Sequence, residues 1–208
     1  MGSGGSFQDF HQRFLGASFK HRDVACEHSV QFSAYPACGC IMYVGFIFAA
    51  VFLGWGIGTS PIVSYHYGAE DTAELHNLFV KNIIVVGFFG FVLFALAEAM
   101  SVPMAKFFTG YDPELFELTK RAFRLYSFSI LLMGFNMSGS AFFTALNNGF
   151  ISALISFMRT LVFQVACVLL LPIFWGTDGI WISGIFYETL SAAVVAVCFL
   201  KFRRRYGY

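Results

Sequence analysis

Apolar residues run along this chain in five long blocks, each separated from the next by a few residues of turn or capping chemistry. A helix that crosses a hydrocarbon core roughly 30 Å thick needs about 20 mostly apolar residues, at about 1.5 Å of rise each. Ile41 to Ser64, Ile83 to Ala105, Leu125 to Ala145, Ile151 to Pro172 and Ile180 to Leu200 all reach that length. None alternates strictly between apolar and polar positions, so the blocks predict helices and not the strands of a barrel. The expected fold is an all-α membrane protein, a polytopic bundle of about five transmembrane helices.

The breaks carry their own signals. Asp71 followed by Glu74 fits a capping box, and Leu75, Leu78 and Phe79 then predict one apolar side of a short amphipathic helix lying along the interface. Asp112, Pro113 and Glu114 place an N-cap, a first-turn proline and a favourable charge in order, so a new helix starts there. Asn147, Asn148 and Gly149 predict a tight turn, as do Gly176 to Gly179, and both connections are short enough to make their neighbours antiparallel. In the first block Ala50, Gly54 and Gly58 recur every four residues, allowing another helix close approach. That block then meets Pro61, which removes a backbone hydrogen bond and is expected to bend or end the helix, a helix break of the kind common in transporters.

Composition supports the membrane assignment. The chain is 58% hydrophobic and 12% charged over 208 residues, far from the mix of a soluble domain. A net charge of +1 and the lack of a basic face apart from Lys201, Arg203, Arg204 and Arg205 argue against nucleic acid as a partner. The same cluster predicts a cytoplasmic C-terminus in a multi-pass membrane protein. Lys81 and Arg159 then fall on the cytoplasmic side as well, and Lys106, Lys120, Arg121 and Arg124 on the other. Trp175 and Trp181 are expected at the outer boundary, where indole rings favour the headgroup region. The five cysteines include no CxxC pair and read as small buried hydrophobes, and the grouping of His21, Cys26 and His28 matches no zinc spacing. Residues 1–40 form a separate segment with a glycine- and serine-rich start and no signal peptide; an external N-terminal tail carrying Arg13, Lys20 and Arg22 suggests further spans upstream.

The run GTSPIVSYHYGAEDTAELHNL, Gly58 to Leu78, resembles the motif that follows the first hairpin of the C-terminal lobe in the multidrug and toxic compound extrusion (MATE) family. FFTALNNGFISALISFMRTLVFQ, Phe142 to Gln164, and LPIFWGTDGIWIS, Leu171 to Ser183, resemble the stretch linking that family's last three helices, and Glu188 follows at its usual spacing. The likeness covers about Tyr43 to Tyr208, with the bacterial multidrug-exporter branch nearest. It implies a twelve-helix, two-lobed exporter of organic cations and other amphipathic compounds, exchanging them for protons or sodium. Residues 41–208 would supply most of its C-lobe, with the N-lobe and the seventh helix lacking. The family's coupling carboxylates in those parts have no counterpart here, and the third block contains no Asp or Glu.

Ionisable groups inside a membrane helix are costly and face the bundle or a wet cavity. Glu188 stands out, because Gly184, Ser191 and Ala192 put it on a small-residue face that should meet another helix. It is expected either to bind a cation or carry a proton, or to be a carboxylate hydrogen-bonded between helices. Asn136, with Gly139 and Ser140, and Gln164, with Thr160 and Cys167, are expected to point inwards, as interhelical hydrogen-bonding groups or as cavity lining. Arg159 is expected to snorkel towards water or headgroups, Glu98 to be interfacial, and His66 to be at most a weak candidate for coupling. No nucleophile and base, phosphate loop or metal-ligand set emerges, so no enzyme and no cofactor is expected beyond the coupling ion that the resemblance implies. Drug and ion antiport as part of a full transporter is the leading functional expectation. The alternative is a non-transporting scaffold or half-transporter needing a partner lobe or a second copy, and lipid-linked precursor flipping ranks last.

Overall fold

The computed structural model describes residues 24–110 and 113–206, with side-chain surroundings from residue 39 onward except at positions 40, 114, 177, 204 and 205. Its elements are α1 (Val24–Gly68), α2 (Thr72–Thr109), α3 (Pro113–Ala145), α4 (Gly149–Phe157), a π-helical segment (Met158–Phe163) and α5 (Gln164–Tyr206). There is no strand among the described residues. Among the described residues, five stretches are long and apolar enough to cross a membrane: Ile41–Gly68, Thr72–Thr109, Leu115–Ala145, Gly149–Gly176 and Asp178–Arg203. The all-α, five-span architecture expected from the sequence is the one observed.

Two local expectations need correction. The helical run does not stop at Pro61, because α1 continues to Gly68. Hydroxyls one turn back crowd the carbonyls there: Ser60 Oγ donates to the Gly56 carbonyl at 2.7 Å and Thr59 Oγ1 to that of Trp55 at 3.0 Å. The carbonyl that Pro61 leaves without its usual donor is that of Ile57, one residue further on, so these bonds lie beside the lost one and do not replace it. Nor is there a separate interfacial helix after Asp71. Asp71 does cap, accepting from the Glu74 backbone N–H at 3.1 Å, but the helix it starts is the second span itself. Leu75 is buried, and Leu78 and Phe79 pack against the same cluster, so that face meets protein and not headgroups.

At the other connections the turn chemistry is as the residues suggest. Asn147 takes a positive φ of 58°, and Asn148 Oδ1 then accepts from the Ile151 N–H. Gly176 has φ 59° and ψ −137°, a conformation reserved for glycine, and it separates the fourth and fifth spans within α5. The Asp112 cap lies outside the described residues, although α3 does begin at Pro113.

α3 is the central helix and packs against α1, α2 and α5. Glycines on α3 make this possible. A Cβ on Gly134 would sit 2.3 Å from the Phe52 ring, and one on Gly139 would sit 2.5 Å from Val195. Two apolar clusters result, one around Phe48, Phe52, Ile130 and Met133 and one around Phe143, Leu146, Ile155 and Phe199. Large apolar side chains such as Ile57, Ile84, Phe88 and Leu200 remain exposed on the outside. In lipid these need no cover, and close packing of small residues, not expulsion of apolar surface from water, holds such helices together.

Candidate functional site

The fourth span does not run as a plain α-helix. From Met158 to Phe163 it widens to a π-helical turn, in which the Gln164 N–H bonds to the Arg159 carbonyl, five residues back. Such turns are uncommon and concentrate at functional positions. Here the turn holds Arg159 against the fifth span, where Glu188 is only 1% exposed. Arg159 Nη2 donates to Glu188 Oε1 at 2.6 Å, and Nε donates to both carboxylate oxygens at 3.2 Å. Asn136 of α3, itself buried, donates through Nδ2 to Glu188 Oε2 at 2.5 Å and to the Glu188 carbonyl at 2.9 Å.

The depth of this cluster follows from helix geometry. At about 1.5 Å per residue, Arg159 lies about 15 Å along its span from Gly149, and Glu188 about 15 Å along the next span from Asp178. Those starts are at opposite ends of an antiparallel pair, so each charge lies well inside its span and away from both of its ends. A lone charge there is expensive, and pairing is how membrane helices carry one.

A cavity of about 280 Å³ opens beside the pair, between α1, α3 and the last two spans. Arg159 and Gln164 contribute polar groups to its wall, Tyr126, Tyr187 and Trp181 contribute rings, and Met133 and Met137 contribute thioethers. Glu188 is not among the wall residues; it lies behind Arg159 with its oxygens already accepting. As folded, the carboxylate is not offered to a cation in the cavity.

Of the residues singled out from sequence, the structure brings Asn136 and Glu188 into direct contact and sets Gln164 in the cavity wall near them. Pro61 stands apart, about 18 Å along α1 from the wall residue Ala49. Two other expectations change. Arg159 does not snorkel, because its guanidinium is committed to Glu188. Trp181 is not in a lipid-facing belt: it is 6% exposed and packs in the core, whereas Trp175 is on the outside. Glu98 is partly shielded between helices, accepting from Ser127 Oγ and lying 3.8 Å from Arg124 Nε. His66 Nδ1 lies 3.5 Å from Asp71 Oδ2, at the α1–α2 corner and away from the cluster. Cys167 and Cys198 are free and buried, and His21, Cys26 and His28 lie outside the described side chains.

Sequence reasoning missed the Arg159 partnership. One signal was available: Arg159 and Glu188 are the charged residues nearest the middle of two consecutive antiparallel spans, and a mid-span cation and anion on neighbouring helices should be tested as a pair.

This arrangement can be set beside known proteins. No curated protein matches the chain in sequence. The sequence profile of the family described as MatE matches residues 37–170. Among solved structures, the Vibrio cholerae MATE transporter VcmN in its bent form superposes with a TM-score of 0.79 at 16% identity, over 95% of this chain and 43% of that one. A MATE in complex with MaL6 gives 0.75 at 19% identity, over 95% and 42%. An inward-facing multidrug resistance MATE family transporter of the MOP superfamily gives 0.71 at 18% identity, over 99% and 49%. This chain therefore spans less than half the length of the structures it resembles, in a fold they share. The profile match covers well over half the residues, and the chain belongs to the MatE family.

Proposed function

We propose that residues 41–208 act as the C-lobe of a MATE-type exporter, moving amphipathic or organic-cation compounds across the plasma membrane in exchange for protons or sodium, with the C-terminus cytoplasmic. The observation that carries this reading is the cavity inside the bundle with a desolvated Arg159–Glu188 pair at its edge, because charges well inside a span mark substrate and ion pathways. Asn136 and Gln164 belong to the same pathway, Asn136 fixing Glu188 and Gln164 facing the cavity. Efflux of a fluorescent dye from vesicles under an imposed proton or sodium gradient tests it, comparing the chain alone with the chain co-expressed with a MATE N-lobe. Gradient-dependent efflux supports the reading, and its absence in both preparations rejects it.

A second reading, a half-transporter that must pair with a partner lobe or a second copy, draws on a row of hydroxyls between α3 and α4. Ser140 Oγ lies 2.9 Å from both Ser152 Oγ and Ser156 Oγ, and Thr144 Oγ1 lies 2.7 Å from Ser152 Oγ. Ser156 is exposed, although it is about 10 Å inside its span. Polar groups at that depth face protein or water sooner than lipid. Cysteine cross-linking from Ser156→Cys in native membranes tests it: a captured partner favours pairing, and an exclusively uncross-linked chain counts against it.

A further inference from the structure

We propose that the cavity beside the Arg159–Glu188 pair selects the anionic end of an aromatic amphiphile, a carboxylate and not an ammonium. Among the described residues, no Asp or Glu lines the wall. Glu188, the nearest acid, is shut off behind the guanidinium that neutralises it. What the wall does offer is donors. Arg159 spends Nε and Nη2 on Glu188, leaving Nη1 outside the pair on a side chain that is 21% exposed and lines the cavity. Gln164, in the same wall, adds a side-chain amide that can donate beside it.

The remaining wall specifies the other end of the ligand. Tyr126, Met133 and Met137 present a ring and two polarizable thioethers, surfaces suited to a flat aromatic body. At about 280 Å³, the cavity is near the lower end of the range for drug-sized ligands, roughly 300 to 1,000 Å³, which fits a body of two fused rings. Glu188 then acts as a built-in competitor. It holds Arg159 in place while the cavity is empty, and it weakens the guanidinium's hold on an incoming carboxylate by partly cancelling its charge. Removing Glu188 should therefore tighten anion binding, whereas removing Arg159 should abolish it and expose a carboxylate that prefers cations.

The inference rests on reading the cavity as the ligand chamber of the proposed transporter, and it narrows that reading's substrates to amphipathic acids, leaving its organic cations out of this chamber. Binding without efflux would reject transport and leave this inference standing, and a reversed charge preference would reject this inference alone. The test is equilibrium binding of 2-naphthoate and of the isosteric 2-naphthylmethylammonium to the full chain in phosphatidylcholine nanodiscs. The wild-type chain should bind naphthoate at least tenfold more tightly. Glu188→Gln should tighten naphthoate about tenfold further, and Arg159→Gln should lose naphthoate and favour the ammonium. The double variant Arg159→Gln with Glu188→Gln keeps the cluster neutral, so it remains informative where a single variant fails to fold; it should bind both probes with no preference. Preference for the ammonium in the wild-type chain, or naphthoate selectivity surviving in the double variant, overturns the proposal. Repeating the naphthoate titration in phosphatidylglycerol nanodiscs separates two sources of the same chemistry. Weaker binding there that persists at about 1 M salt, where repulsion of the probe by the anionic surface is screened, identifies an anionic lipid as the natural occupant, and unchanged binding identifies a free acid.

Discussion

Arg159 and Glu188 join two consecutive spans through a guanidinium–carboxylate pair whose closest contact is 2.6 Å, with Asn136 from the central helix closing the same carboxylate from the other side. Each charge makes the other tolerable at that depth. Neither alone is easily accommodated, since removing one partner leaves the other buried and unpaired.

This predicts strong non-additivity. Arg159→Gln and Glu188→Gln should each lower stability by about 3 to 5 kcal/mol, the usual cost of breaking a buried pair. The double variant should recover most of that loss. Denaturant unfolding in detergent, arranged as a double-mutant cycle, measures the coupling, and additive losses would show that the two side chains do not depend on each other.

Helix contacts through glycine give a second prediction. Gly134→Ala should destabilise by about 1 to 3 kcal/mol, because the new methyl meets the buried Phe52 ring at 2.3 Å. Pairing it with Phe52→Leu should restore part of the loss. A neutral Gly134→Ala in a thermal unfolding assay would mean that α1 and α3 are not packed this closely.

The hinge between the last two spans supplies a third. Gly176→Ala places a side chain at φ 59°, ψ −137° and should cost about 1 to 3 kcal/mol. Gly179→Ala should cost at least as much, since its Cβ would sit 2.6 Å from the Leu171 carbonyl oxygen, which is backbone and cannot swing aside. Ala at Gly149, where nothing lies within 4 Å, is the control and should be tolerated.

Asn148 ties the turn after α3 to the end of the chain. Its Oδ1 caps the Ile151 N–H at 3.3 Å, and its Nδ2 donates to the Tyr206 hydroxyl at 2.8 Å. Asn148→Ala should cost about 1 to 2 kcal/mol as a lost cap, and it should speed hydrogen exchange in both the first turn of α4 and the last turns of α5. Faster exchange in α4 alone would show that the tie to Tyr206 carries no weight.

Much of this was legible in the residues. The five spans follow from block length, the Asn147–Gly149 and Gly176–Gly179 turns from residues that adopt positive φ, and the inward aim of Glu188 and Asn136 from the small residues one turn away. Local patterns failed where the deciding partner is distant in sequence. Arg159 looks like a snorkelling end residue until Glu188, 29 positions later, is folded against it. The stretch after Asp71 looks like a separate amphipathic helix because Leu75 and Phe79 share a face, but their partners are Phe142 and Phe199 on other helices. The π-helical turn at Met158–Phe163 has no composition signal, since it is a change of backbone register in which the Gln164 N–H reaches back five residues to the Arg159 carbonyl.

The most direct test of the central claim, that this buried pair is part of a transport pathway, is dye efflux under an imposed proton or sodium gradient from vesicles holding the chain together with a MATE N-lobe. Gradient-dependent efflux that falls at least tenfold in the Arg159→Gln, Glu188→Gln double variant, with the variant still folded, is the predicted result. Efflux at the full rate without the pair would contradict it.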